Sequence, residues 1–235
     1  MQKFLSLALI AVFVLAGCSS DDDNNTDDGG GGEGDNPVTA TYRITFTPNW
    51  TEAAFPTDYP SNPTFSAMLV AVHEPGKRVF RLGQQASEGL KAYAETGDNS
   101  DLATELASQG TEDSVDFFVT TSAAGSGPEG AQSVNVTVDP EKTSISLVVS
   151  LNPSPDWFTG IDGFSIVLPS DALVSEETLT LSVLDAGTDS GATYTSPDEP
   201  TSPQGTITVI NTPPIGTVGG LTPAIGSVTI TRTDL

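Results

Sequence analysis

The chain has one cysteine, Cys18, so no disulfide within it can brace a fold, which must rest on its core. It has one histidine, His73, and no second imidazole or free thiol to set beside it, which argues against a zinc or copper centre. Positive charge is scarce. Only 8 lysines and arginines stand against 31 acidic residues, a formal net charge of −23. Such a chain does not bind nucleic acid or an anionic surface unaided. It is compatible with cation binding or a saline habitat. The apolar run Phe4 to Leu15 covers 12 residues, short of the ~20 a membrane-spanning helix needs.

That run has the form of a secretory leader: basic Lys3 before it, small residues after it, then Leu15-Ala16-Gly17-Cys18. The ending resembles a bacterial lipobox, in which the cysteine is lipidated and becomes the first mature residue. The alternative is an ordinary signal peptide with a chance cysteine. Residues 1–17 are therefore expected to be a lipoprotein signal peptide, and Cys18 a lipid anchor to the membrane. Two or more acyl chains hold durably, since each buried methylene adds ~0.8 kcal/mol. Ser19 and Ser20 follow the cysteine, and the lipoprotein resemblance then implies outer-membrane sorting. Asp21-Asp22-Asp23 suggests display at the cell surface. Cleavage removes only Lys3 among charged residues, leaving 7 basic against 31 acidic, a net of −24.

Residues 18–37 read as an acidic, Gly-rich, disordered tether without large apolar side chains. A flexible chain of about 19 residues reaches roughly 25 Å, more when like charges repel. Asp23, Asn25 and Asp27 have the spacing that opens an EF-hand loop, but the sixth position is Asp28 and the twelfth Gly34. Residues 38–235 are enough for one domain with a substantial core.

Most of that domain reads as β-strand. Thr41 to Thr47 alternates polar and apolar, the period of a half-buried strand. Similar runs fall at 67–73, 78–82, 114–120, 133–138, 143–150, 163–168, 178–184, 205–210 and 226–232. Gly, Pro, Asn and Asp separate them. The spacing predicts an all-β antiparallel sandwich. A short helical insertion near 86–108 interrupts it. Ser87 can cap a helix carrying Leu90, Tyr93 and Ala94 that ends before Gly97, and a second helix at 99–108 carries Leu102 and Leu106, with Gly110 after it. The pair is expected to cover one end or face of the sandwich. The long loop from Pro48 to Thr64 holds Trp50, Phe55 and Tyr59 among prolines. Its rings either cap the core or offer a rigid partner surface, the first being the preferred reading.

Three aspartates carry the chemistry. Asp156 lies in Pro153-Ser154-Pro155-Asp156-Trp157, and Asp185 and Asp189 in Asp185-Ala186-Gly187-Thr188-Asp189-Ser190-Gly191. Three carboxylates, some bidentate, supply three to five of the six to eight oxygens that Ca²⁺ takes. Carbonyls and water would supply the rest, and Thr188 or Ser190 can add one. Gly187 and Gly191 let the backbone fold so that Asp185 and Asp189 converge. On the residues alone, loop aspartates capping turns explain the same pattern. Asp162 lies near in sequence but belongs to no motif and is not counted among the ligands.

Four segments resemble the spondin N-terminal domain of the F-spondin-like kind: Asn49-Trp50-Thr51-Glu52-Ala53-Ala54-Phe55-Pro56 with Tyr59-Pro60-Ser61-Asn62-Pro63; Ala86-Ser87-Glu88-Gly89-Leu90-Lys91 with Ala94-Glu95-Thr96-Gly97; Pro153 to Phe158; and Asp185 to Gly191 with Ser196-Pro197. They occur in the right order and span roughly residues 40 to 232. The resemblance implies a C2-like β-sandwich with bound calcium, whose ligands would be Asp156, Asp185 and Asp189. The animal proteins of this family act in matrix and cell adhesion beside other modules. Those modules and the family's cysteines are absent here, so the fold and metal site carry over better than the adhesive role.

Other motifs lead elsewhere. Thr188-Asp189-Ser190-Gly191 with the earlier His73 mimics a trypsin-like arrangement, but a buried aspartate between them and an oxyanion hole would also be needed. Gly29 to Gly32 lacks the Lys-Ser/Thr of a phosphate loop. The sequence thus points to a membrane-anchored, calcium-binding, non-catalytic extracytoplasmic domain for adhesion or ligand binding. Its expected partner is an extracellular protein or glycan, and its expected place the outer membrane. The competing readings are a structural envelope lipoprotein whose ion only stabilises the fold, and a serine hydrolase.

Overall fold

A computed structural model describes residues 39–112, 115–120, 125–216 and 222–235. The expected leader, Cys18 and the tether lie outside the described residues. Among the described residues, eleven strands and two helices follow one another: β1 (Ala40–Pro48), β2 (Thr64–Phe65), β3 (Leu69–His73), α1 (Glu88–Thr96), α2 (Ser100–Glu112), β4 (Val115–Thr120), β5 (Gln132–Val138), β6 (Ser144–Asn152), β7 (Trp157–Ser165), β8 (Glu176–Leu181), β9 (Leu184–Asp185), β10 (Thr208–Val209) and β11 (Gly226–Arg232).

The strands form two antiparallel sheets. One has the order β5-β1-β11-β8, the other β10-β9-β7-β6-β3-β4 with β2 added on β6. Alternation explains the first sheet directly: Ala40, Tyr42, Ile44 and Phe46 point inward from β1, and Val134, Val136 and Val138 from β5. They meet Val70, Val72, Ile145, Leu147 and Val149 of the second sheet in the main core. Strand β6 does not alternate, because it is buried on both faces: eight consecutive residues, Ser144 to Leu151, are inaccessible. Its outer face lies under a second core of Leu69, Ala71, Leu90, Tyr93, Leu102, Leu106 and Phe158.

The helices supply that outer layer. Ser87 caps α1 as expected, its Oγ accepting from the Leu90 N–H at 3.2 Å, and Gly97 closes the helix in the left-handed conformation at φ 74°. The Tyr93 hydroxyl fastens α1 to the sheet by donating to the carbonyl oxygens of Ala67 and Val148. Helix α2 runs on to Glu112 and so includes Gly110, which was expected to lie beyond its end.

Four strand expectations need correction. Residues 78–82 are not a strand, because the Val79 and Phe80 N–H groups donate to Asp162 Oδ1 instead of to a ladder. The strand expected at 163–168 begins earlier, at Trp157, directly after Pro155-Asp156. The run 178–184 is divided: β8 belongs to the first sheet and β9 to the second, so the chain changes sheets at Ser182-Val183. The run at 205–210 shortens to two residues.

Candidate metal centre

Asp156 sits in the turn between β6 and β7. Ser154 shapes the turn: its hydroxyl donates to the Leu151 carbonyl at 2.7 Å and accepts from the Trp157 N–H at 3.1 Å. Trp157 stands opposite Asp185 in the β7–β9 pairing, and the Ala186 N–H donates to the Asp156 carbonyl at 3.2 Å. Two segments far apart in sequence are thereby held side by side.

The Asp156 side chain is fully buried. Its Oδ2 accepts three hydrogen bonds, from the Thr188 N–H at 2.7 Å, the Thr188 hydroxyl at 3.1 Å and the Asp189 N–H at 3.1 Å. Its Oδ1 is buried with no partner. A buried oxygen left so costs about 1–3 kcal/mol and calls for a reason. Burial, and next the charge of Asp185, push the Asp156 carboxyl up to about 6, against the bonds from Thr188 and Asp189. Asp185 is also pushed up, chiefly by burial, with the Gly187 N–H at 2.7 Å opposing and the charge of Asp189 adding.

Asp189 is buried too, but its carboxylate faces its own loop. Oδ1 accepts from the Gly191 N–H at 2.6 Å and Oδ2 from the Glu199 N–H at 2.9 Å. The structure thus brings Asp156 and Asp185 together and sets the Asp189 main chain against them, while the Asp189 carboxylate is held toward residues 191 and 199. Among the described residues, no three His, Cys, Asp or Glu side chains are gathered as a ready-made ligand set. Nor does any lysine or arginine among them pair with these three carboxylates.

Two glycines permit the loop. Gly187 has φ 74°, and a Cβ there would lie 2.7 Å from the Gly205 carbonyl carbon. A Cβ on Gly191 would lie 2.7 Å from Ser196 Cβ and 2.8 Å from Pro155 Cγ, so the two aspartate-bearing segments pack at glycine distance. The aromatic loop after β1 supports the same end of the sandwich. Trp50 and Phe55 are fully buried, and the Tyr59 hydroxyl donates to the Trp50 carbonyl at 2.7 Å. Tyr194 packs between the rings of Trp50 and Trp157 at 5.5 and 5.3 Å. These rings cap the core, the preferred reading of that loop. Asp156 Oδ1 and the neighbouring Asp185 carboxylate are hard oxygens without a lysine or arginine to balance them, chemically suited to a hard divalent ion.

The serine and histidine that mimic a protease do not meet. Both His73 ring nitrogens are engaged, Nδ1 with the Glu74 carbonyl at 2.9 Å and Nε2 with the Ser146 hydroxyl at 2.8 Å. The Ser190 hydroxyl donates to Glu199. Sequence reading passed over Asp162, which organises a second polar cluster. It receives the Val79 N–H and pairs with Arg78 Nε at 3.2 Å. Its Arg78, Val79 and Phe80 partners lie more than 80 residues away in sequence, and no local motif announces them.

A two-sheet antiparallel sandwich with a helical outer layer and a carboxylate-lined turn at one end is a β-sandwich module. The chain belongs to the Spondin_N family, whose model matches residues 40–215. It is 37% identical to human Spondin-2 over 175 residues, covering 73% of this chain and 52% of that protein. It is 33% identical to Spondin-1 of Xenopus laevis over 176 residues, 72% of this chain and 21% of the relative. The chain therefore spans about half of the one relative and a fifth of the other. Residues 40–215 thus form a spondin-like domain. Among the described residues no helix is long and apolar enough to cross a membrane.

Proposed function

We propose that this protein is a non-catalytic, calcium-binding module for adhesion or ligand binding outside the cytoplasm. In this reading Cys18 carries the lipid that anchors it to the outer membrane, and residues 18–37 hold the domain clear of the surface. Asp156, Asp185 and Asp189 hold the ion, the last once its carboxylate turns from the Gly191 and Glu199 amides, with main-chain carbonyls and water completing its shell. The observation that carries the reading is Asp156 Oδ1, a carboxylate oxygen fully buried without a partner beside a second carboxylate. An ion there would satisfy it and remove the repulsion between Asp156 and Asp185. Turn formation alone accounts for Asp156 Oδ2 and both oxygens of Asp189, but not for that atom. The ion rigidifies the largely buried 185–191 segment and, through the Ser190 N–H bond to the Glu199 carbonyl, the exposed 197–200 loop, which is the surface an extracellular protein or glycan would meet.

The test is calorimetric titration of calcium into the full chain and into the double variant Asp185→Ala/Asp189→Ala. One saturable site, lost in the variant, is expected. At a hundredfold excess over the dissociation constant the ion should add about 2.7 kcal/mol of stability. No heat and no thermal shift at millimolar calcium would leave the aspartates as turn residues in a structural sandwich.

A further inference from the structure

Basic residues are few, yet three of the eight, Lys77, Arg78 and Arg81, fall within one five-residue stretch between β3 and α1. An open groove of about 470 Å³ lies there, on the outer side of β7, with Gly160 and Leu184 in its lining beside Arg81, Leu82 and Val209. We propose that this groove binds an extended acidic peptide segment of a partner protein, with one carboxylate on Arg81 and a neighbouring aliphatic side chain between Leu82 and Val209.

The charges decide which cation is available. Arg78 is already held, with Nε on Asp162 Oδ2 at 3.2 Å and a terminal nitrogen donating to the Lys77 carbonyl at 2.8 Å. The Arg81 side chain is exposed and, among the described residues, has no ion pair or hydrogen bond. Beside it are two of the four large apolar side chains left exposed among the described residues, Leu82 at 52% and Val209 at 43%. A free guanidinium flanked by exposed aliphatic walls suits a carboxylate joined to an apolar group. A sulfated polysaccharide would instead need several free cations in a row and no apolar wall. The rest of this acidic surface repels an anionic partner, so charge would steer it to this groove.

The groove is also built in advance. Asp162 fixes the Val79 and Phe80 amides, and the Phe80 ring stands edge-on to Phe158 at 5.2 Å. The Gly83 N–H donates to the Ile207 carbonyl, and the Ile207 N–H to the Gln84 carbonyl, so both ends of the wall are pinned. Little ordering remains to be done on binding. Gly160 leaves the floor without a side chain, since a Cβ there would overlap the Leu147 carbonyl.

This inference rests on the ligand-binding reading but not on the metal. A fluorescein-labelled hexapeptide of alternating aspartate and leucine is titrated with the full chain, in calcium and in chelator, and followed by anisotropy. Saturable binding is expected in both buffers. It should weaken about tenfold in Arg81→Ala, the loss of one charge-assisted hydrogen bond. It should weaken also in Leu82→Ser, fade with salt, and vanish when asparagine replaces aspartate in the peptide. Both side chains are exposed, so the variants should melt as the parent does. Equal affinity in Arg81→Ala, or no saturation at millimolar peptide, would overturn the proposal. So would binding of dextran sulfate but not of the peptide. Calcium-dependent binding indifferent to Arg81→Ala would move the ligand to the aspartate turn, refuting the groove while sparing the metal reading.

Discussion

Replacing Asp156 with asparagine separates the two roles a buried carboxylate can have. As a hydrogen-bond acceptor it organises the Thr188 turn, a task the amide oxygen of asparagine performs equally well. As a charge it is costly in the ion-free protein, where Oδ1 has no partner and Asp185 lies nearby. A carboxyl pushed from 3.8 up to about 6 costs up to roughly 3 kcal/mol at neutral pH, at ~1.4 kcal/mol for each unit. Asparagine removes the charge and puts an N–H where Oδ1 stood, able to donate toward Asp185. In chelator at pH 7 Asp156→Asn should therefore be more stable than the parent by about 1–3 kcal/mol, a rise of several degrees in Tm at ~2–4 °C per kcal/mol for a domain of this size. The sign follows from linkage. A raised carboxyl pKa leaves the fold unpenalised below the unfolded value near 4 and fully penalised above about 6. The advantage of the variant should shrink as pH falls through that window. On the proposed calcium reading the order reverses when calcium is added, because only the parent gains from the ion. The assay is thermal melting of both proteins at pH 7 and pH 4.5, with calcium and with chelator. A variant less stable than the parent in chelator, by the same margin as in calcium, would refute the reasoning: the carboxylate would then be an ordinary turn acceptor.

Two further outcomes are expected. Burial first of all holds the His73 imidazole below its ordinary value, with the Glu74 carbonyl and Asp162 pulling the other way and Arg78 adding to the depression. Its contribution to stability is present above the unfolded value near 6.5 and is lost as pH falls through the lowered folded value; the Tm gap between the parent and His73→Gln should narrow from pH 7 to pH 5, and a constant gap would contradict this. Gly187→Ala forces a side chain into the left-handed region and against the Gly205 backbone; it should cost about 2 kcal/mol or more in chemical denaturation, and a neutral result would mean that the loop yields.

The sequence patterns that proved readable are those with a local physical cause. Strand β1 alternates because one face meets the core and the other water, and α1 carries its own cap residues in Ser87 and Gly97. The segment 78–82 misled because Arg78-Val79-Phe80-Arg81-Leu82 alternates like a strand, whereas its amides are claimed by a carboxylate more than 80 residues away. The sheet change at Ser182-Val183 left no local mark, since Leu181, Val183 and Leu184 are all buried in whichever sheet they serve. At the aspartate turn, residue identities and the two glycines were legible from motif and spacing. The engagement of the Asp189 carboxylate by the Glu199 amide was not, because a main-chain donor can belong to any residue. Asp162 shows the same limit from the other side: an acid in a plain strand gives no sign that it will anchor a distant wall.

The double covering of β6 divides the molecule's interior into two compartments that share one wall. Lifting the helices would wet Val148 and its neighbours on the outer face, yet leave Ile145, Leu147 and Val149 dry on the inner one. Opening of the helical layer is thus a partial event with its own free energy, separable from collapse of the sandwich. The aspartate turn begins where β6 ends, so that end is fixed to the strand that would be the last to exchange its amide hydrogens, and fluctuations of the helical cover can pass without disturbing it.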